Sequence, residues 1–136
     1  KTFGVADVLR SGLARLAKDI RVALIYGSIA KGAETAESDV DLFVVADSLA
    51  LADIVTALRH AQEDLRREVN PTVYQTKEFC RKLTQGHHFV SKVVAGPKIF
   101  LVGDEGELAR LGEIGMDQAP SRNARRGRGV VRARRS

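Results

Sequence analysis

The sequence predicts an α/β or α+β domain in which helices pack on one sheet of about four strands. Two observations carry this expectation. Four short apolar runs, at residues 21–27, 40–46, 69–75 and 98–102, have strand length and end at Gly, Pro or polar residues. Between them, apolar residues recur at helical spacing, with Gly86 and the Gly96-Pro97 step as breaks. No internal repeat is present.

In chain order, Val5, Val8, Leu9, Leu13 and Leu16 lie on one face of a helix over about residues 4–18. RVALIYG then reads as a buried strand closed by Gly27. Ser28 reads as the cap of a short turn that Gly32 ends. After the second strand, Asp47-Ser48 is a helix start signal. Leu51, Ile54, Val55, Leu58, Leu65 and Val69 then predict one long helix. Pro71 ends any helix and places the third strand near a sheet edge. Thr76 opens a helix carrying Phe79, Cys80 and Leu83, and a second helix carries Phe89, Val90, Val93 and Val94. The fourth strand follows. Asp104, with Glu107 three residues on, starts the last helix, whose periodicity fades after Gly112.

Composition narrows the class. The chain has 136 residues, one domain's worth, of which 44% are apolar and 29% charged. A lone cysteine excludes an internal disulfide and fits a reducing, cytoplasmic setting. No apolar run has the length of a membrane span. The formal charge of +5 belongs to the end of the chain, where residues 118–136 hold seven arginines and no acid, leaving −2 for residues 1–117. The organisation expected is a folded domain over 1–116 and an Arg-rich, disordered tail over 117–136. The tail offers electrostatic contact to nucleic acid but no aromatic ring to stack on bases. The chain opens on Lys1, directly at a helical pattern, which reads as a fragment lacking an upstream part.

The chemistry concentrates between Tyr26 and Val45. Asp39 and Asp41 lie two apart on a strand, so both carboxylates leave the same face with Cα atoms roughly 6.6 Å apart. Such a pair suits a hard divalent cation, which takes carboxylates together with substrate phosphates. Gly27, lacking a Cβ, lets a phosphate approach the backbone. Ser28 offers a hydroxyl and an N–H at a helix start, and Lys31 one turn on offers a charge. Adjacent His87 and His88 point about 100° apart on a helix and make a poor metal pair. They read as a solvated helix start, and Cys80 as core.

The pattern Gly27-Ser28-x-Ala30-Lys31-Gly32, followed by Ser38-Asp39-x-Asp41-Leu42, resembles the nucleotidyltransferase signature of the polymerase-β-like superfamily, and most of all its minimal nucleotidyltransferases. The resemblance implies a small mixed sheet with helices packed on it. It also implies transfer of a nucleoside monophosphate from an NTP to an acceptor hydroxyl, dependent on Mg²⁺ or Mn²⁺. On that pattern Asp39 and Asp41 are the catalytic metal ligands, while Gly27 and Ser28, with Lys31 and Ser38 nearby, hold the nucleotide phosphates.

The family supplies a third carboxylate from the next strand. Here that strand is acid-free in its interior: Glu68 at its entry shares a face with Asn70, Thr72 and Tyr74. Three readings follow. Glu68, or loop acids Glu34 and Glu37, stands in; an acceptor or partner supplies the group; or the domain binds nucleotide and metal without turnover. The third strand and the 96–104 stretch also resemble a subgroup that follows an N-terminal winged helix-turn-helix, which implies a sensor in a DNA-binding regulator. A further role open to minimal nucleotidyltransferases is that of antitoxin beside a helical toxin.

Overall fold

The computed structural model describes residues 4–32 and 38–117, the side chains of 114–117 excepted. The Arg-rich tail, Lys1, Glu34 and Glu37 lie outside the described residues.

A four-stranded mixed sheet forms the middle layer, in the order β3-β2-β1-β4. Its strands are β1 (Val22–Tyr26), β2 (Val40–Val45), β3 (Val69–Tyr74) and β4 (Ile99–Val102). β1 runs antiparallel to β2 and to β4, and β2 runs parallel to β3. Strand alternation sends side chains to two cores. Ala23, Ile25, Val40, Leu42 and Val44 face one side, where they meet Leu9, Leu13, Ile54, Leu58 and Ala61. Val22, Leu24, Phe43 and Val45 face the other, where they meet Phe79, Cys80, Val90, Val93 and Leu108. β1 and β2 are therefore covered on both faces, which explains their near-continuous apolar sequence. Pro71 lies in β3, an edge strand, where its missing N–H is tolerated.

The first face is covered by α1 (Val5–Gly12), a 3₁₀ turn (Ala14–Asp19), α3 (Leu51–Ala57) and α4 (Arg59–Leu65). The expected long helix is thus two. It breaks at Leu58 (φ −94°, ψ 2°), and Val69 belongs to β3. The break lies against the end of α1: a Cβ on Gly12 would lie 3.4 Å from a Leu58 methyl and 3.6 Å from the Ala57 carbonyl. Both halves still turn Ile54, Leu58 and Ala61 inward.

The second face carries α5 (Thr76–Thr84), α6 (His88–Ala95) and α7 (Glu105–Asp117). Asp47 does not start α3, which opens at Leu51 with the Ala50 N–H donating to Asp53 at 2.8 Å. Instead Asp47 reaches across from the end of β2 and caps α5. It accepts from the Thr76 N–H at 2.8 Å and from the Thr76 hydroxyl at 3.0 Å. At α7, Asp104 caps the Glu107 N–H as its spacing predicts, and the helix continues past Gly112 to Asp117. His87 caps α6 through Nδ1, and Cys80 is buried with its thiol donating to the Leu111 carbonyl. Among the described residues no helix is long and apolar enough to cross a membrane.

Candidate active site

Asp41 occupies the centre of one end of the sheet. In the register it pairs with Tyr26 of β1 on one side and Asn70 of β3 on the other. Asp39 precedes β2 and, by alternation, leaves the same face. This is the face of Phe43 and the α5–α6–α7 core, but the carboxylates lie at the strand's mouth, where Asp41 is only partly buried and Asp39 is exposed.

The turn after β1 is shaped around Asp41. Gly27 has φ 78° and ψ −148°, a conformation open essentially to glycine alone. A Cβ built on it would stand 2.5 Å from Asp41 Oδ2. The glycine is thus required by backbone angle and by space. It also ends the strand at the start of α2 (Ser28–Lys31), where the Lys31 N–H donates to the Gly27 carbonyl at 3.0 Å. Ser28 is not the cap. It is the first helical residue, Gly27 holds the cap position, and no side chain caps the turn. The Ser28 side chain is consequently exposed. Gly32 closes α2 in the left-handed conformation, φ 75°. Ser38 is held by its backbone: its carbonyl accepts from Arg67 at 2.9 Å, tying the approach to Asp39 to the segment before β3.

The three residues considered for the third-carboxylate position separate. Asn70 joins the pair, with Nδ2 3.4 Å from Asp39 Oδ2 and a side-chain hydrogen bond to Asp41. Thr72 sits one same-face step further in, level with Phe43, and its hydroxyl bonds Tyr26. Glu68 is exposed at the strand entry, where its backbone carbonyl accepts from the Val40 N–H at 2.9 Å. Among the described residues, no group of three or more His, Cys, Asp or Glu is placed to hold a metal ion. Glu68 therefore does not complete a triad with Asp39 and Asp41 in this arrangement.

Electrostatics follow the packing. Burial pushes the Asp41 carboxyl above its usual range, the neighbouring Asp39 charge adds to this, and the Asn70 hydrogen bond opposes both. Burial likewise raises the Tyr26 hydroxyl, helped by the Asp41 charge, while Thr72 pulls it back. Two carboxylates crowded at one strand end suit a divalent ion held by one or two carboxylates and completed by water and phosphate oxygens.

A cavity of about 290 Å³ opens beside the Gly27 turn, lined by Tyr26, Gly27, Lys31, Phe89, Lys92 and Pro97 among others. The sequence reading singles out neither Phe89 nor Lys92 as functional. Phe89 lies in an apolar helical stripe, and nothing local shows that α6 folds back onto the Gly27 turn. The contact is made by rings: Phe89 meets Tyr26 edge-on at 5.6 Å between centroids, and Phe43 at 6.2 Å.

Comparison with known proteins bears on the fold and the family. Among solved structures, a chain of one described as the toxin–antitoxin with AMP-PNP is similar, with TM-score 0.58 and 14% identity over 82% of this chain and 84% of that one. A chain from the toxin–antitoxin MntA–HepT is similar with TM-score 0.51 and 12% identity, over 83% of this chain and 82% of that one. At such identities the likeness concerns the fold. A search of curated proteins found no match. The family profile "Polymerase beta, Nucleotidyltransferase" matches residues 12–92, which span β1, the Gly27 turn, both aspartates, β3 and most of α6. With more than half of its length so matched and its sheet and helices in the expected places, the chain belongs to the polymerase-β nucleotidyltransferase family.

Proposed function

We propose that this domain is a nucleotidyltransferase that moves a nucleoside monophosphate from an NTP, such as ATP, to an acceptor hydroxyl. The observation that carries the reading is the packing of Asp41 against Gly27. It supports the reading because one carboxylate of the pair lies directly beside a turn whose glycine leaves the backbone bare for a phosphate to approach. A bound Mg²⁺ or Mn²⁺ would supply charge neutralisation at the phosphates, and Asp39 and Asp41 are the residues that would hold it. Ser28, exposed at the start of α2, and Lys31 at its end orient the phosphate chain. In the transfer, the acceptor oxygen bonds to the α-phosphorus, the bond to the β-phosphate oxygen breaks, and pyrophosphate leaves. Catalysis of this kind rests on positioning and electrostatics.

The acceptor hydroxyl must also lose its proton. Asn70, which lies where a third carboxylate would complete the pair, is no base near neutral pH, and neither is Thr72. On this reading the chain supplies the carboxylate pair and the Gly27 turn to the nucleotide half of the site, and the acceptor half takes its base from Glu68 after rearrangement, from the loop acids Glu34 or Glu37, or from the acceptor or a partner. Labelled NTP, Mn²⁺ and cell extract test the reading. Label should pass to an acceptor, and Asp39→Ala or Asp41→Ala should abolish transfer. Nucleotide binding without transfer to any acceptor would instead favour a sensor domain of a DNA-binding regulator.

A second reading is favoured by the fold neighbours, both from toxin–antitoxin structures and similar over more than four-fifths of this chain. We propose on that basis that the acceptor is a partner toxin and the domain its antitoxin. Transfer of label to a single co-purifying protein, rather than to RNA or a small molecule, is the outcome that supports it.

A further inference from the structure

The Gly27 turn, with Tyr26 and Lys31, forms one wall of the cavity, and α6 with the Gly96–Pro97 step forms the other. The two walls differ in chemistry. Lys31 and Lys92, one from each side, are both exposed at its rim. Among the described residues neither lysine is ion-paired with a carboxylate. Among the described residues no carboxylate lines the cavity, although Asp41 stands just beyond Gly27. Phe89, Val93 and Pro97 make the apolar part. Phe89 packs against the rings of Tyr26, edge to face, and Phe43, tilted, so part of this wall is already packed before any ligand arrives.

We propose that α6 completes the nucleotide site: Lys92 joins Lys31 in holding the phosphate chain, and Phe89 with Pro97 packs against the nucleobase. The inference rests on the nucleotidyltransferase reading above and extends the site by some fifty residues beyond the aspartates. Apolar side chains and two lysines that, among the described residues, have no carboxylate partner match a nucleoside polyphosphate, which is a flat ring system joined to an anionic chain. The volume, about 290 Å³, is at the lower end of ligand pockets and takes one nucleoside. The phosphates then run past Gly27 to the carboxylate pair.

The two roles separate by ligand. Calorimetric titration of the full chain, with Mg²⁺ present, compares ATP with inorganic triphosphate, which has the charge but no base. Lys92→Gln should weaken both ligands by about fivefold, and more so at low salt. Phe89→Leu, which keeps an apolar side chain in the core, should weaken ATP by about tenfold and leave triphosphate unchanged. Pro97→Ala, at an exposed position, gives the same ligand contrast independently of Phe89 packing. Wild-type protein that binds both ligands while all three variants bind them equally well overturns this inference and leaves the nucleotidyltransferase reading standing. Wild-type protein that binds neither ligand overturns both.

Discussion

The Asp41 carboxylate fills the space in which a side chain on residue 27 would begin, since a Cβ there would stand 2.5 Å from Oδ2. A strand-end acid and a turn glycine thereby become one structural unit. The metal-ligand and phosphate functions proposed for them cannot be altered separately.

Gly27→Ala tests this coupling directly. The substitution meets both the carboxylate and a positive φ of 78°, so it should cost about 1–3 kcal/mol of stability. Asp41 has to move to accommodate the methyl group, and nucleotide affinity should fall with it. Denaturant unfolding and nucleotide titration measure the two effects. A variant with unchanged stability and affinity would falsify the packing described.

Asp41 should oppose folding when no metal is present. Its carboxyl is raised by burial first and by Asp39 second, so the folded chain keeps that proton at pH values where the unfolded chain has lost it. The stabilising effect of the proton is complete below the unfolded value, ~3.9, and is lost as pH rises through the higher folded value. At neutral pH, in chelator, Asp41→Asn should therefore melt above wild type, and the gap should narrow near about pH 4. Mg²⁺ should raise the wild-type Tm and leave the variant's unchanged. A variant less stable than wild type at neutral pH in chelator contradicts the account.

Asn70→Asp adds a carboxylate beside the pair, at the register position of Asp41. Mn²⁺ affinity should rise by about tenfold, and label transfer should quicken. Metal-free stability should drop because three like charges then share one strand end. Unchanged Mn²⁺ affinity would show that this side chain does not reach the ion.

Asp47→Ala removes two hydrogen bonds at the start of α5 and should cost about 1 kcal/mol. It lies at the far end of β2 from Asp41, so nucleotide affinity should not change. Equal loss in Asp47→Ala and Ser48→Ala would mean that the cap lies elsewhere.

Much of this molecule is decided by local pattern. Period-two and buried apolar runs set the four strands, and alternation alone assigns Asp39 and Asp41 to one face of their strand and Asn70 and Thr72 to one face of theirs. Glycine conformation is also local, and the Gly27 and Gly32 turns sit where their sequence puts them. What local pattern does not contain is which distant groups meet. The Asp47-Ser48 signal is a true capping signal, but its helix is α5, about thirty residues on, because the end of β2 points there. The apolar stripe from Leu51 to Leu65 is continuous, and only the approach of Gly12 shows where it bends. Phe89 and Lys92 carry no motif and become candidates when α6 packs across the sheet onto Tyr26. Asn70 and Thr72 look equivalent in sequence. The register of β3 against β2 separates them, giving Asn70 to the aspartates and Thr72 to Tyr26. The physical reason is the same in each case: backbone periodicity fixes the face a side chain takes, while packing between elements fixes its neighbour.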